Sequence, residues 1–415
     1  MIMVNEKVKR MLIEFNPIWK GPIKTEYHDR AIYPRIWKLV NEPQIISFCG
    51  LRRVGKTTLM RKIMRDLAEK HPEDSMLYFS FDDYSEAGLL EVIDAFEEIH
   101  GKTPEFLFFD EVQKLPNWAE KVKVLYDTGK YKIFVSGSES LFLKKGTRES
   151  LAGRIYEFEI RGLTFPEYLK FAGKWDIAAK PQLHEKELRA ELEKYLLTGG
   201  FPEMVGKDDA GLVRQYIRTA IMEKVVFMDM AKAYPIDNPA KLISILEILI
   251  SNPGMIVDFA SMSGELGISR QTISKYFDYL EYAHLVIKMY NFSRNRGTSE
   301  KRLKKYYPSF MSTAIMDETG GAQMGKAIEA FCVAATGAKH FWRDEYKDEV
   351  DIVIQKEKTL IPIEVKYRNE PKENRGLEKF CRKYKCRKAI IVTKDTRKDA
   401  EAQWIPAYEF LLKFS

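Results

Sequence analysis

The stretch "IISFCGLRRVGKTTLMRK", residues 45–62, decides the fold of the first part of the chain. Its apolar start predicts a buried strand over Ile45–Cys49, and its second half predicts a helix from about Lys56 to Lys70. The turn between them fits the spacing G-x-x-x-x-G-K-[ST] at Gly50, Gly55, Lys56 and Thr57.

Each residue of this turn has a chemical use at that spacing. Glycines let the backbone wrap around phosphates, and the helix start offers free N–H groups. Lys56 neutralises the β and γ charges, and the Thr57 hydroxyl is a ligand for Mg²⁺. We therefore expect ATP and Mg²⁺ as cofactors, held by Gly50, Arg53, Val54, Gly55, Lys56, Thr57 and Thr58.

Two further apolar runs predict strands that end in catalytic groups. "PEFLFFDEVQKL", residues 104–115, leads to Asp110, expected to hold Mg²⁺ through water, and Glu111, expected to polarise the attacking water. "YKIFVSGS", residues 131–138, ends at Ser138, a candidate γ-phosphate sensor with Ser136 behind it. Arg148 and Arg154 are the candidate arginines that stabilise transition-state charge, in their own subunit or in a neighbour's, and we favour Arg154.

Strands and helices alternate over residues 40–160, which predicts an α/β fold with a doubly wound parallel sheet and nucleotide at the carboxyl ends of its strands. Several segments resemble the prokaryotic AAA-like ATPases, abundant in archaea, whose C-terminal half is a domain of uncharacterised function (the AAA-14 and DUF4143 pairing). That resemblance spans most of the chain and implies an ATPase core without naming a substrate. The segments are "GLRRVGKTT", "FFDEVQ", "NWAEKVKVLYDTG", "VSGSES", "LAGRIYEFEIRGLTFPEYL", "LLTGGFPEMV" and "DEVDIVI".

The middle of the chain predicts a helical lid followed by a winged helix-turn-helix, which resembles the winged helix of the same family. Residues 163–235 have helical spacing, and Gly199-Gly200 is a plausible helix stop. A short helix, a turn near Gly264–Gly267 and a second helix from Arg270 follow, then two strands joined by a basic loop. DNA-facing candidates are Arg270, Gln271, Thr272, Ser274 and Lys275 on the helix and Arg294, Arg296, Lys301, Arg302, Lys304 and Lys305 on the wing. A purely structural packing module is the open alternative.

The stretch "IPIEVKY", residues 361–367, places Glu364 and Lys366 on one face of a predicted core strand. Asp351 lies on the strand before it, and Glu329 lies on an earlier apolar helix. The predicted elements are a helix, three strands, a helix and a strand. This order, with these acids in sequence, resembles the restriction-endonuclease-like PD-(D/E)xK fold. Val350 replaces the proline of that motif.

In that fold, Asp351 and Glu364 would hold Mg²⁺ or Mn²⁺ with the Val365 carbonyl, and Glu329 would complete the charge. Lys366 would orient or help deprotonate the water that attacks a phosphodiester. An inactive nuclease-like module with solvated acids is the alternative that the residues leave open.

Composition limits the class of protein. With 45% hydrophobic and 31% charged residues, the 415-residue chain has the make-up of a soluble globular protein of several domains. No long apolar run or signal peptide is present, so we expect no membrane partner and a cytoplasmic location. Four cysteines without metal-ligand spacing predict free thiols. The formal charge of +7 permits DNA as a partner without requiring it.

These patterns predict four domains: a P-loop ATPase (1–162), a helical lid (163–235), a winged helix-turn-helix (236–310) and a nuclease-like domain (311–415). The leading functional hypothesis is an ATPase whose nucleotide state controls DNA binding and metal-dependent DNA cleavage. The alternatives are a signalling or scaffold NTPase, as a possible homo-oligomer, and a DNA loader that does not cut.

Overall fold

The computed structural model describes ten parts of the chain: residues 6–21, 27–82, 84, 86–138, 150–295, 303–316, 320–357, 359–368, 375–399 and 402–414. The chain divides into two compact units, Met1–Arg161 and Gly162–Ser415. Within the described ranges, no helix combines the length and the apolar character needed to cross a bilayer.

The described residues of the first unit form a five-stranded parallel sheet in the order β2-β3-β4-β1-β5. All residues of β1, β2 and β3 are buried, as expected for a parallel sheet covered on both faces. The predicted parallel α/β fold is therefore confirmed for this unit. The strands are β1 (Ile45–Cys49), β2 (Met76–Ser80), β3 (Phe106–Asp110), β4 (Lys132–Ser136) and β5 (Ile155–Glu159), and the helices are α1 (Glu6–Phe15), α2 (Tyr33–Trp37), α3 (Lys56–Leu67), α4 (Leu89–His100) and α5 (Trp118–Asp127).

Strand order positions the candidate catalytic groups of this unit. Strand β4 lies between β1 and β3, and all three run parallel. Their carboxyl ends therefore share one edge of the sheet, where the glycine turn after β1, the acids after β3 and the serines after β4 meet.

The second unit begins with helices and continues into a nine-stranded sheet in the order β13-β14-β12-β11-β10-β9-β7-β8-β6. Helix α8 ends at Thr198, and Gly199 caps it with φ 63°, as its sequence predicts. The helices are α6 (Phe165–Phe171), α7 (Trp175–Ala179), α8 (Glu185–Thr198), α9 (Ala210–Tyr216) with its π-type continuation Ile217–Met230, α10 (Ala231–Ala233), α11 (Pro239–Ser251), α12 (Phe259–Leu266), α13 (Arg270–Tyr282), α14 (Gly321–Thr336), α15 (Arg375–Tyr384) and α16 (Ala407–Lys413).

The strands of this unit continue across the predicted boundary at residue 310. Strand β7 pairs in parallel with β9, with Tyr290 opposite His340, so the predicted wing and the predicted nuclease-like strands belong to one sheet. The strands are β6 (Met255–Ile256), β7 (Val286–Asn291), β8 (Lys304–Pro308), β9 (His340–Arg343), β10 (Glu349–Lys356), β11 (Thr359–Lys366), β12 (Ile390–Thr393), β13 (Lys398–Asp399) and β14 (Gln403–Pro406).

Candidate nucleotide site and carboxylate–lysine cluster

The glycine turn between β1 and α3 requires its glycines for steric reasons. Gly50 has φ 138°, and a Cβ there would collide with the carbonyl oxygen of Ile160. Gly55 has φ 95° at the start of α3. Arg53 also adopts a positive φ, 66°, which L residues seldom do. The turn is thus held in a shape that side chains at Gly50 and Gly55 would prevent.

Lys56 is buried at the centre of this turn. Its Nζ donates hydrogen bonds to the carbonyls of Gly50 and Leu51, each at 3.0 Å. Burial lowers the pKa of Lys56, and the neighbouring Glu111 and Asp110 oppose that shift. The ammonium therefore lies inside the loop, close to the acids that the sequence assigns to magnesium and water.

Asp110 at the end of β3 accepts three hydrogen bonds from side chains. Its Oδ2 accepts from the Thr57 hydroxyl at 2.6 Å and from the Tyr78 hydroxyl at 2.7 Å. Its Oδ1 accepts from Ser136 on β4. Burial and Asp110 together raise the pKa of Tyr78, so this phenol remains a donor. Thr57 and Asp110, which the sequence separately assigns to Mg²⁺, are thus in direct contact.

Glu111 and Ser138 are linked through Gln113. The Gln113 amide donates to Glu111 Oε2 at 2.6 Å and to Ser138 Oγ at 3.1 Å. Glu111 itself has φ 51°, and its N–H donates to Ser136 Oγ at 3.3 Å. A positive φ at a non-glycine residue is characteristic of functional sites, where packing holds a side chain in a required direction.

Three residues of this site have weak or no signals in the sequence. Tyr78 is one aromatic residue within an apolar strand, and Gln113 follows the acids by two positions. Arg30 carries no local signal, yet its guanidinium donates to the carbonyls of Val54 at 2.9 Å and Arg161 at 2.7 Å. It therefore fixes the glycine turn from a segment 24 residues earlier in the chain.

Arg154 lies away from this site. It precedes β5, and its carbonyl accepts from the N–H of Ile45 at the amino end of β1. Strand β1 spans roughly 13 Å from that end to the glycine turn. The side chain pairs with Asp127, Nε to Oδ1 at 3.0 Å. The structure thus does not bring Arg154 to the nucleotide site of its own chain.

Asp351, Glu364 and Lys366 in the second unit do come together. Asp351 Oδ2 accepts from the N–H of Val365 at 2.8 Å, and Lys366 Nζ contacts Glu364 Oε1 at 2.6 Å. Glu364 is 3% exposed, and its Oε2 is buried without a hydrogen-bond partner. Burial and Asp351 raise the pKa of Glu364 to about 8.

Lys305 was predicted to contact phosphate from the wing, but the structure buries it among these carboxylates. Its Nζ lies 2.5 Å from Glu349 Oε1, 3.3 Å from Glu329 Oε1 and 3.7 Å from Asp351 Oδ1. Strand β8 carries it there because β7 and β8 join the sheet beside β9. The three carboxylates neutralise the charge of the buried Lys305 ammonium, which is therefore not accessible to DNA phosphates.

Glu329 is the third predicted metal ligand of the second unit. Tyr307 donates to its Oε1 at 2.6 Å, and burial with Asp351 raises its pKa to about 7. In the part of the chain that the structure describes, no three His, Cys, Asp or Glu side chains are arranged to hold a metal ion. The positive charge beside Glu329, Asp351 and Glu364 comes from Lys305 and Lys366, and the divalent metal at these acids stays a prediction.

Helix α13 presents most of its predicted DNA-facing residues to solvent. Arg270, Gln271 and Lys275 are exposed in its first two turns. The Thr272 hydroxyl instead lies 2.8 Å from that of Ser269, the residue that caps the helix. Arg294 is exposed after β7, and Arg296 lies outside the described residues.

Three family models match three separate parts of the chain. Residues 42–169 match the AAA domain family AAA_14. Residues 189–311 match a domain of unknown function, DUF8612, and residues 326–410 match another, DUF4143. Lys56 and Asp110 thus lie within the AAA_14 match, whereas Lys305 lies within the DUF8612 match and pairs with acids of the DUF4143 match.

Relatives occur in archaea and bacteria. An uncharacterized protein of Methanocaldococcus jannaschii is 32% identical over 260 residues, which span 60% of this chain and 57% of that protein. A second uncharacterized protein of that organism is 25% identical over 411 residues, 90% of this chain and 85% of its own length. An uncharacterized protein of Haemophilus influenzae is 28% identical over 270 residues, 62% of this chain and 65% of that protein.

Solved structures align only loosely. The Aeropyrum pernix ORC1 protein in complex with DNA aligns over 78% of this chain and 92% of its own, at 14% identity and a TM-score of 0.30. Cdc6p from Pyrobaculum aerophilum aligns over 76% and 97%, at 11% identity and a TM-score of 0.31.

Proposed function

We propose that the AAA domain binds ATP with Mg²⁺ and hydrolyses it. The main support for this proposal is that Thr57, Asp110 and Ser136, from three separate elements, are hydrogen-bonded together beside the buried Lys56. The rigid glycine turn and this donor set fit a triphosphate and its metal. Bound Mg²⁺ would neutralise charge on the β- and γ-phosphates.

We assign roles to the protein's own groups on the basis of these contacts. Backbone N–H groups of the turn and Lys56 would bind phosphate, and Thr57 and Asp110 would hold the metal. Glu111 orients and polarises water, and Gln113 holds both Glu111 and Ser138 in place. Ser138 is then positioned to sense the γ-phosphate.

Phosphate release by purified protein tests this proposal. Glu111→Gln should bind ATP normally and hydrolyse it about 100-fold or more slowly, because general-base groups contribute on that scale. Glu120→Gln, an exposed acid on α5, is the matched control and should keep the wild-type rate. Wild-type hydrolysis by Glu111→Gln would overturn the assignment.

We infer further that residues 239–308 form a winged helix that binds duplex DNA and responds to nucleotide. The support is the order helix, strand, two helices and two strands, together with three exposed polar residues at the start of α13. Fluorescence anisotropy of labelled duplex, titrated against salt with ATP, ADP or no nucleotide, tests it. Equal affinity in all three conditions would exclude control by nucleotide, and no binding at low salt would exclude the DNA-binding role.

DNA cleavage at the carboxylate–lysine cluster is the second candidate function. It is favoured by Asp351, Glu364 and Lys366 lying together on adjacent strands. Incubation of labelled single-stranded, duplex and branched DNA with Mg²⁺ or Mn²⁺, with and without ATP, tests it. Cleavage that is abolished in Glu364→Ala supports a nuclease, and intact DNA under every condition supports a DNA loader or scaffold that does not cut.

A further inference from the structure

A cavity of about 640 Å³ lies in the second unit, and none of the carboxylates of the carboxylate–lysine cluster is among its described lining residues. It is lined by the segment after β7, the end of β10, the start of β11, and the end of α15 with the loop that follows. Asp351 is the third residue of β10 and Gln355 is the seventh, so roughly 13 Å of strand separates these two positions. The volume falls within the range of about 300–1,000 Å³ that is typical of small-ligand sites.

The lining of this cavity is basic. Arg294, Lys385 and Arg387 contribute three cations, and none of the described lining residues is an aspartate or a glutamate. All three are exposed and reach the cavity from two separate segments. The negative end of the α15 dipole attracts basic residues near the helix terminus, but it explains neither Arg294 nor Arg387. A concave surface with cations from two segments and no carboxylate favours an anion.

The backbone at Lys385 is held in an unfavourable conformation. Its φ is 55°, the position after α15 where glycine or asparagine is usual. The following N–H, of Cys386, donates to the carbonyl of Cys381 at 3.1 Å, which closes the end of the helix. Lys385 thus occupies a position where glycine would fit with less strain, and the turn brings Lys385 and Arg387 to the same cavity.

An aromatic wall completes the cavity. The Tyr384 ring packs 5.3 Å from Phe292 and 4.5 Å from Phe380, so the hydrophobic core fixes its orientation. The Arg294 guanidinium lies 5.8 Å from the Tyr384 ring centroid. Tyrosine and arginine planes of this kind stack on nucleobases. Burial raises the pKa of Cys386, so its thiol stays protonated and the cavity is suited to binding rather than to covalent chemistry.

We propose that this cavity binds a phosphate-bearing ligand with a planar ring, the chemistry shared by a free nucleotide and the end of a nucleic-acid strand. The phosphate contacts Lys385, Arg387 and Arg294, and the ring lies against Tyr384. This site is separate from the glycine turn of the AAA domain and does not depend on the functions proposed above.

Isothermal titration calorimetry on full-length Lys56→Ala protein tests the proposal, because that substitution removes phosphate binding by the AAA domain. The probes are pyrophosphate, AMP and a 5′-phosphorylated single-stranded oligonucleotide. Saturable binding of at least one probe is expected. Lys385→Gly and Arg387→Ala, each added to Lys56→Ala, should weaken it about tenfold, the scale of one charge-assisted hydrogen bond.

Lys385→Gly is expected to fold, because glycine accepts the positive φ at this position. Its melting temperature should equal or exceed that of the protein without this substitution. Arg382→Ala, an exposed basic residue on α15 outside the cavity lining, is the matched control. Tight binding of AMP alone identifies a free nucleotide as the ligand, and binding of the oligonucleotide alone identifies a strand end. Absence of binding by every probe, or equal weakening by Arg382→Ala, would overturn the proposal.

Discussion

The glycine turn can form because Gly50 has no side chain. Gly50→Ala would place a Cβ against the Ile160 carbonyl at φ 138°, so strain and overpacking act together. We expect a loss of roughly 2–4 kcal/mol of unfolding free energy and loss of ATP binding. Thermal melting and nucleotide titration measure both. Gly88→Ala, where a Cβ meets open space, is the control, and equal effects of the two substitutions would contradict this explanation.

Glu364 gives the second unit a pH-dependent stability. Its pKa is about 8 when folded, against an ordinary value of 4.5, so the folded state binds a proton that the unfolded chain has released. Stability should therefore fall as pH rises from about 5 to 8. In Glu364→Gln this fall should be smaller. Melting temperatures across this range measure it, with the exposed Glu378→Gln as control, and a parallel profile for Glu364→Gln and wild type would contradict it.

Helix α13 presents its charges to solvent rather than to the core, which allows a test at the level of the element. Arg270→Ala with Lys275→Ala should weaken duplex DNA binding and reduce the salt slope by about one for each phosphate that is no longer neutralised. Lys207→Ala removes an equally exposed charge elsewhere in the unit and serves as the control. An unchanged salt slope in the double variant would place the DNA surface away from α13.

Strand β8 carries two adjacent lysines with opposite surroundings. Lys305→Ala should destabilise the second unit by about 3–5 kcal/mol, because it leaves three carboxylates without their buried partner. Lys304→Ala, on the other face of the same strand, should change stability by less than about 0.5 kcal/mol. Urea unfolding measures both. Equal destabilisation by the two substitutions would mean that the strand, not the ion cluster, carries the effect.

The position of Arg154 predicts that ATP hydrolysis requires two copies of the chain. Because it lies at the amino edge of the sheet, it can reach a nucleotide only in a second copy of the chain. Arg154→Ala and Lys56→Ala should each be inactive alone, and mixing the two should restore measurable ATP hydrolysis. Asp127→Asn, which removes only the partner of Arg154, should stay active. No recovery on mixing would exclude this trans arrangement.

The sequence alone is enough to predict the glycine turn, its flanking strand and helix, the two acids at the end of β3 and the helix stop at Gly199. Each depends on spacing within a few residues, where the chemistry is local. The tertiary structure alone decided the positions of Arg30, Tyr78 and Lys305 and the edge on which Arg154 lies. These depend on which strands pair and in what order: the pairing of β7 with β9 turned a predicted phosphate contact into the buried counter-ion of Glu329, Glu349 and Asp351, and no local pattern encodes that pairing.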